Sequence, residues 1–142
     1  MLNQIILASK SEVRKKILEE NKIDCKVEPP NVDEDSVKKS LLKEGATPTM
    51  ISKNLAELKA NKVSQIFINE IVLGADSIID LEGEIISKPE NRPEALKILD
   101  KLNGKTHQLV SSVCISRGGS MIWNYTDKAS LTMKQMSNRE LK

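Results

Sequence analysis

Aromatic side chains are almost missing: the 142 residues hold one Trp, one Tyr and one Phe. Such a chain has little on which to stack single-stranded bases, which argues against that mode of nucleic-acid binding. Charge of one sign is lacking too. Lys and Arg number 22 against 20 Asp and Glu, and a net charge of +2 is too small to imply a nucleic-acid or membrane partner. Long apolar runs are absent. Gln4 to Ala8 and Ile71 to Leu73 fall far short of the roughly 20 residues that span a bilayer. No basic stretch followed by an apolar one opens the chain, so no signal peptide is expected. The two cysteines, Cys25 and Cys114, match neither a zinc pattern nor a redox pair. Both lie in strand-like stretches, which predicts buried free thiols in a reduced, cytoplasmic protein. The single histidine, His107, cannot form a multi-histidine metal site and reads as a strand-edge residue. No Gly-x-Ser-x-Gly elbow occurs, and Ser111 and Ser112 have no visible triad.

What remains is an ordinary globular composition, 39% apolar and 30% charged, in a chain long enough for one core. One domain over residues 1–142 is expected. Leu2 to Ala8 reads as a buried strand. Ser11 reads as a helix N-cap, with Val13, Ile17 and Leu18 forming an apolar helical face down to about Asn21. Ile23 to Val27 alternates as a strand, and Pro29-Pro30 ends it. Strand, helix, strand favours an α/β fold. Asp33 to Lys43 is a solvated helix at best. Thr47-Pro48 starts a helix that runs to about Gln65 and buries Ile51, Leu55, Leu58 and Val63. Glu70 to Ala75 is a second core strand. Ser77 to Leu81 and Glu84 to Ser87 flank Glu82-Gly83 as a hairpin. A helix follows from Asn91 to Asn103, burying Ala95, Leu99 and Leu102. Gln108 to Ser116 and Met121 to Tyr125 are strands joined at Gly118-Gly119. Met136 to Glu140 looks like the start of another helix. A helix ending at Lys142 buries no face, so the domain is expected to be incomplete at its C-terminus.

Four short segments and one helical lysine carry the chemistry. Ser9-Lys10-Ser11 joins a strand to a helix, presenting hydroxyls and free backbone N–H groups to an anion, with Arg14 one turn in. The same residues also read as a plain cap and a surface charge. It is not a Walker loop, because glycines are absent. Asp76 follows Ile71 to Ala75 and is read as standing at the C-terminal end of a core strand, where α/β folds place ligands. There a carboxylate suits a divalent cation or a proton from water, or else a turn bond to its own backbone. Lys88, before Pro89, has an extended backbone that directs its ammonium. Lys59 borders the apolar face of its helix, reaching inward to a phosphate or, more often for such residues, out to water. Asp33-Glu34-Asp35 suits a cation or a solvated loop.

Taken in order, Leu7-Ala8-Ser9-Lys10-Ser11-Glu12-Val13-Arg14, Val32-Asp33-Glu34, Leu55-Ala56 with Lys59, Gly74-Ala75-Asp76, Gly83-Glu84, Lys88-Pro89 and Leu102-Asn103-Gly104-Lys105-Thr106-His107 resemble the Maf-like nucleoside triphosphate pyrophosphatases. The similarity runs on through Met133 to Leu141. It implies a mixed α/β sheet of the Maf and inosine-triphosphatase type, with flanking helices and a nucleotide cleft, here missing its last elements. It implies hydrolysis of a nucleoside triphosphate to monophosphate and pyrophosphate, assisted by magnesium or manganese. Under that resemblance Asp76 activates water and shares the metal with Glu34. Ser9, Ser11, Arg14, Lys59 and Lys88 contact phosphates. Val13 and Ser77 occupy positions that set base preference, and they match neither the dTTP/UTP-type nor the 7-methyl-GTP-type pattern, which leaves the base open. Glu12 replaces the usual proline. The competing expectation is a truncated inactive remnant, or a nucleotide-binding module without hydrolysis. A homodimer would cover exposed core edges.

Overall fold

The computed structural model describes residues 4–86 and 91–135. The apolar segment Ile5–Ala8 forms β1, and α1 (Glu12–Glu20) carries the chain to β2 (Cys25–Val27), which pairs parallel with β1. The long excursion that follows holds α2 (Glu34–Lys43) and α3 (Pro48–Ser64), and it ends in β3 (Val72–Leu81), parallel to β1 on its other side. β4 (Glu84–Ile86) folds back on β3 through the two-residue turn Glu82-Gly83. Then come α4 (Arg92–Leu102), β5 (Thr106–Arg117) and β6 (Ser120–Thr132). The sheet order is β2-β1-β3-β5-β6, with β4 attached to β3; β3, β5 and β6 run antiparallel to one another in turn. This is the mixed sheet with flanking helices that the sequence implies. No helix among the described residues is long and apolar enough to cross a membrane.

The pairing of β3 creates the site. β5 occupies one edge of β3 from Val72 to Asp80. The other edge is divided: β1 pairs with Val72–Gly74, and β4 with Ile79–Leu81. Between them, Ala75 to Ile78 pair with no described strand on that edge. The sheet therefore has a slit, and the loop leaving β1 lies at it.

α3 crosses the sheet and fixes its core. Thr47 caps it, its Oγ1 accepting from the Met50 N–H at 3.2 Å, and Pro48 occupies the first turn. Ile51 and Leu55 pack on Ile78; Ala56, Ala60 and Val63 pack with Ile6, Ala8, Val72 and Cys114. Cys25 and Cys114 are buried free thiols, and burial pushes both thiols above their ordinary pKa. Gly118-Gly119, both at positive φ, make the tight turn between β5 and β6.

Several expectations are corrected. The expected apolar face of α1 is largely outward, with Val13 68% and Ile17 52% exposed. Arg14 is drawn to the loop after β1, which turns Arg14 and Leu18 inward and their neighbours one position back outward. α2 is a real helix whose Val37 and Leu41 pack on Ile51, Leu55 and Ile78. Leu58 is exposed, because the sheet meets the face of α3 bearing Leu55, Ala56 and Lys59. Ala95 and Leu99 are not fully buried; of α4 only Leu102 is. The two strands expected around Asp76 are one, so Asp76 lies inside β3 and not at a strand end. β6 continues seven residues past Tyr125 to Thr132, a polar stretch lacking the alternation that would mark it. His107 is buried in β5, with Nδ1 unpartnered, and not at a strand edge. Leu2 and Asn3, at the start of the expected first strand, Ser87, at the end of the expected hairpin, and the expected helix start at Met136 to Glu140 lie outside the described residues.

Candidate active site

The loop after β1 is organised around Ser9, which is buried. Its Oγ accepts from the Ser11 N–H at 3.0 Å and from Arg14 Nη1 at 3.3 Å. Ser11 caps α1, its Oγ accepting from the Arg14 N–H at 3.2 Å. The cap and the anion-type loop are thus the same structure. The guanidinium of Arg14 is held against the loop and does not simply stand in solvent.

Across the slit stands Asp76, 5% exposed. Lys59, reaching in from α3, is 7% exposed. Its Nζ donates to Asp76 Oδ1 at 3.1 Å and to the Ala75 carbonyl at 3.3 Å, and it forms an ion pair with Glu34 Oε1 at the start of α2. Three acceptors match the three donors of an ammonium. The Ala75 carbonyl is available because β1 has already ended at Ala8, opposite Gly74. Ser52 of α3 donates to the Asp76 carbonyl at 3.1 Å and fixes the backbone at the same residue. Asp76 Oδ2 is buried and has no hydrogen-bond partner among the described residues.

Burial pushes the Asp76 carboxyl above its ordinary pKa; Lys59 pulls it down by charge and by hydrogen bond, Glu34 raises it and Lys38 lowers it, and the sum stays upward. A carboxyl raised in this way holds a proton more readily than an exposed carboxylate. Replacing Lys59 by Met strands a buried carboxylate. We expect a stability loss of about 3–5 kcal/mol at neutral pH, and a smaller one in mild acid, where Asp76 takes up a proton. Urea titrations of parent and variant at the two pH values measure both.

These residues line one cleft of about 710 Å³. Ser9, Ser11, Arg14, Lys59 and Asp76 form its polar wall, and α2 adds Glu34 and Lys38. Ile79, Ile86, Ile98 and Leu109 form an apolar wall, with Ser77 between the two. Alternation along β3 sends Asp76 and Ser77 to opposite faces of the sheet. Asp76 meets α3, whereas the Ser77 Oγ lies 3.1 Å from the Ser111 Oγ on β5. The cleft therefore wraps around the open edge of β3 and touches both faces.

Of the residues singled out from sequence, Ser9, Lys10, Ser11, Arg14, the acidic run Asp33-Glu34-Asp35, Lys59, Asp76 and Ser77 come together here. Val13 is outward on α1 and does not line the cleft. Lys88 lies outside the described residues. Sequence reasoning missed Lys38 and the apolar wall. Lys38 was findable, since it stands four residues after Glu34 and so shares its helical face. Among the described residues no group of three or more His, Cys, Asp or Glu side chains is arranged to hold a metal. Four carboxylates line the cleft, Asp33, Glu34, Asp35 and Asp76, and the unpartnered buried oxygen of Asp76 beside Glu34 nonetheless suits a small hard cation that takes its other ligands from phosphate and water.

Residues 4–142 match the family described as Maf-like protein. The chain is 78% identical over 141 residues to the nucleoside triphosphate pyrophosphatase of Pelagibacter ubique, a match covering 99% of this chain and 72% of that protein. It is 36% identical over 136 residues to the 7-methyl-GTP pyrophosphatase of Brucella abortus, covering 96% of this chain and 68% of that protein. Among solved structures it is similar to a HAM1 protein from Coxiella burnetii, with a TM-score of 0.59 at 14% identity, covering 91% of this chain and 71% of that one. The last likeness is one of fold alone.

Proposed function

Because the chain belongs to the Maf-like family, we propose that it hydrolyses a nucleoside triphosphate to the monophosphate and pyrophosphate, with Asp76 as the base that activates water. The observation that carries this reading is the buried, half-satisfied Asp76 carboxylate at the slit in β3, facing a loop of hydroxyls and cations. The relatives' printed activities support the reaction class.

In this reading the polyphosphate lies along the polar wall and the base against the apolar one. Ser9 and Ser11 offer hydroxyls, and Arg14 a fork matched to phosphate oxygens. Lys59 has every donor engaged in the ligand-free arrangement, so a phosphate oxygen takes the place of one present acceptor, the more exposed Glu34 first. Asp76 accepts a proton from water as the water oxygen bonds to the α phosphorus. The bridging P–O bond breaks, and pyrophosphate departs with the electron pair. Glu34 and Asp76 are the residues that would hold magnesium or manganese, which when bound offsets charge on the departing pyrophosphate. Lys88 is a further proposed phosphate contact. Ser77 and Val13 are the proposed base-preference positions, Ser77 from within the cleft and Val13 from outside it. The proposed compartment is the cytoplasm, with which two free thiols agree.

The test is pyrophosphate release by this chain, with magnesium or manganese, from canonical and methylated nucleoside triphosphates. Release supports hydrolysis. Binding without release, seen as a nucleotide-dependent rise in melting temperature, leaves a nucleotide-binding module. Arg14→Ala is expected to raise KM roughly 10- to 100-fold, as the loss of a charge-assisted pair does, and to change kcat less. Steady-state kinetics on the best substrate check the split.

A further inference from the structure

α2 enters the cleft in a fixed orientation. Asp33 caps it, its two carboxylate oxygens accepting from the Ser36 N–H at 3.2 Å and the Ser36 hydroxyl at 2.8 Å. Val37 and Leu41 pack on the Ile51, Leu55 and Ile78 cluster. That contact sets the rotation of the helix. Glu34 and Lys38, one turn apart, then lie side by side on the flank that meets the cleft.

The two have different fates. Glu34 pairs with Lys59. Lys38 is half-buried, lines the cleft, and makes no hydrogen bond or ion pair to another described residue. Its charge acts on Asp76, after burial, Lys59 and Glu34. By contrast its neighbour Lys39 is exposed and does not line the cleft. A lysine on a helix whose rotation is set by its own buried face, opening on a cleft that also holds Ser9, Ser11, Arg14 and Lys59, is placed to meet an anion. Ser9 and Ser11 approach from the loop after β1, Arg14 from α1 and Lys59 from α3, so Lys38 adds a cation from a third helix.

Resting on the hydrolytic reading above, we propose that Lys38 binds the outer phosphates of the substrate, those that leave as pyrophosphate. The cations of α1 and α3 then hold the polyphosphate from one side and Lys38 from the other. Such a residue discriminates by phosphate number: it strengthens binding of pyrophosphate and triphosphate and is indifferent to monophosphate.

Calorimetric titration with inorganic pyrophosphate, and separately with a nucleoside monophosphate, tests this in the presence of magnesium. Lys38→Met is expected to weaken pyrophosphate binding about ten-fold, the scale of one charge-assisted contact, and to leave monophosphate binding unchanged. Lys38→Arg should restore most of the loss, and Lys39→Met should behave as the parent. Unchanged pyrophosphate binding in Lys38→Met, or equal losses for both ligands, overturns the assignment. Pyrophosphate release by the parent is measured alongside. A parent that releases none from any triphosphate overturns hydrolysis, while the titrations still decide Lys38. An active parent whose Lys38→Met variant binds pyrophosphate as tightly overturns Lys38 alone.

Discussion

Asp76→Asn releases pyrophosphate about 10²- to 10⁴-fold more slowly than the parent, the range a positioned general base supplies. The amide keeps an acceptor for Lys59 at Oδ1 and nearly the same volume, so nucleotide affinity falls little. The variant loses only the capacity to take a proton. A variant as fast as its parent would remove Asp76 from the chemistry. The pH profile adds an independent check. Burial raises the Asp76 pKa against the pull of Lys59, so the acid limb of kcat/KM falls above the ordinary carboxylate value of about 3.9. The same shift acts on folding. A carboxyl that holds its proton more tightly when folded favours the folded state below its unfolded pKa. That contribution is lost as pH rises through the folded value. The stability of the parent relative to Asp76→Asn should therefore decline as pH climbs through that window. Chemical denaturation of both proteins across pH measures the slope, and a difference that grows with pH would mean the carboxyl is not raised.

Gly74→Ala is expected to be nearly as damaging, by a different route. A Cβ there would stand 2.5 Å from the Ala56 carbonyl oxygen and 2.8 Å from the Ala60 nitrogen. These are backbone atoms of α3 and cannot swing aside as a side chain can. Either α3 lifts from β3 or the strand bends. Overpacking of this kind costs about 1–3 kcal/mol and sometimes more, and the rigid neighbours place Gly74→Ala at the upper end. Lys59 rides on the same helix, one residue from Ala60. Lifting α3 by about 1 Å pulls the ammonium from Asp76, and misplacements of that size cost about a hundred-fold in rate. Melting temperature and pyrophosphate release should fall together. A parent-like melting temperature would show that the contact relaxes freely.

Much of this was legible in the chain because it is local. The β1 strand, the Ser11 cap, the Thr47-Pro48 start and the Glu82-Gly83 turn are each written in a few adjacent residues, and each is found where expected. Ser9, Ser11, Arg14, Lys59 and Asp76 each gave a weak signal alone and were gathered as a group by their order, through the resemblance to the Maf-like family; the structure brings them to one cleft. What was not legible depends on partners far along the chain. Lys59 alone reads as a lysine that reaches water; only β3, more than a dozen residues later, supplies the acceptors that bury it. The rotation of α1 depends on a hydrogen bond from Arg14 back to Ser9, which periodicity does not record. Asp76 looked like a strand end because Gly74 and Asp76 are poor strand formers. Pairing with β5 along the whole of β3 overrides that propensity.

The slit in the sheet has a consequence for how such a site can change over generations. Because the cleft reaches around a strand edge, its charged wall and its apolar wall sit on opposite sides of one sheet and are braced by different neighbours. α3 supports Asp76, while β5 and α4 support the side where Ser77, Ile79 and Ile98 stand. A substitution at Ser77 or Leu109 can reshape one wall without loosening the other. Successive side chains of a single strand thus belong to two separable modules: under the proposed roles, one can drift toward a new nucleobase while its neighbour is held to the same reaction.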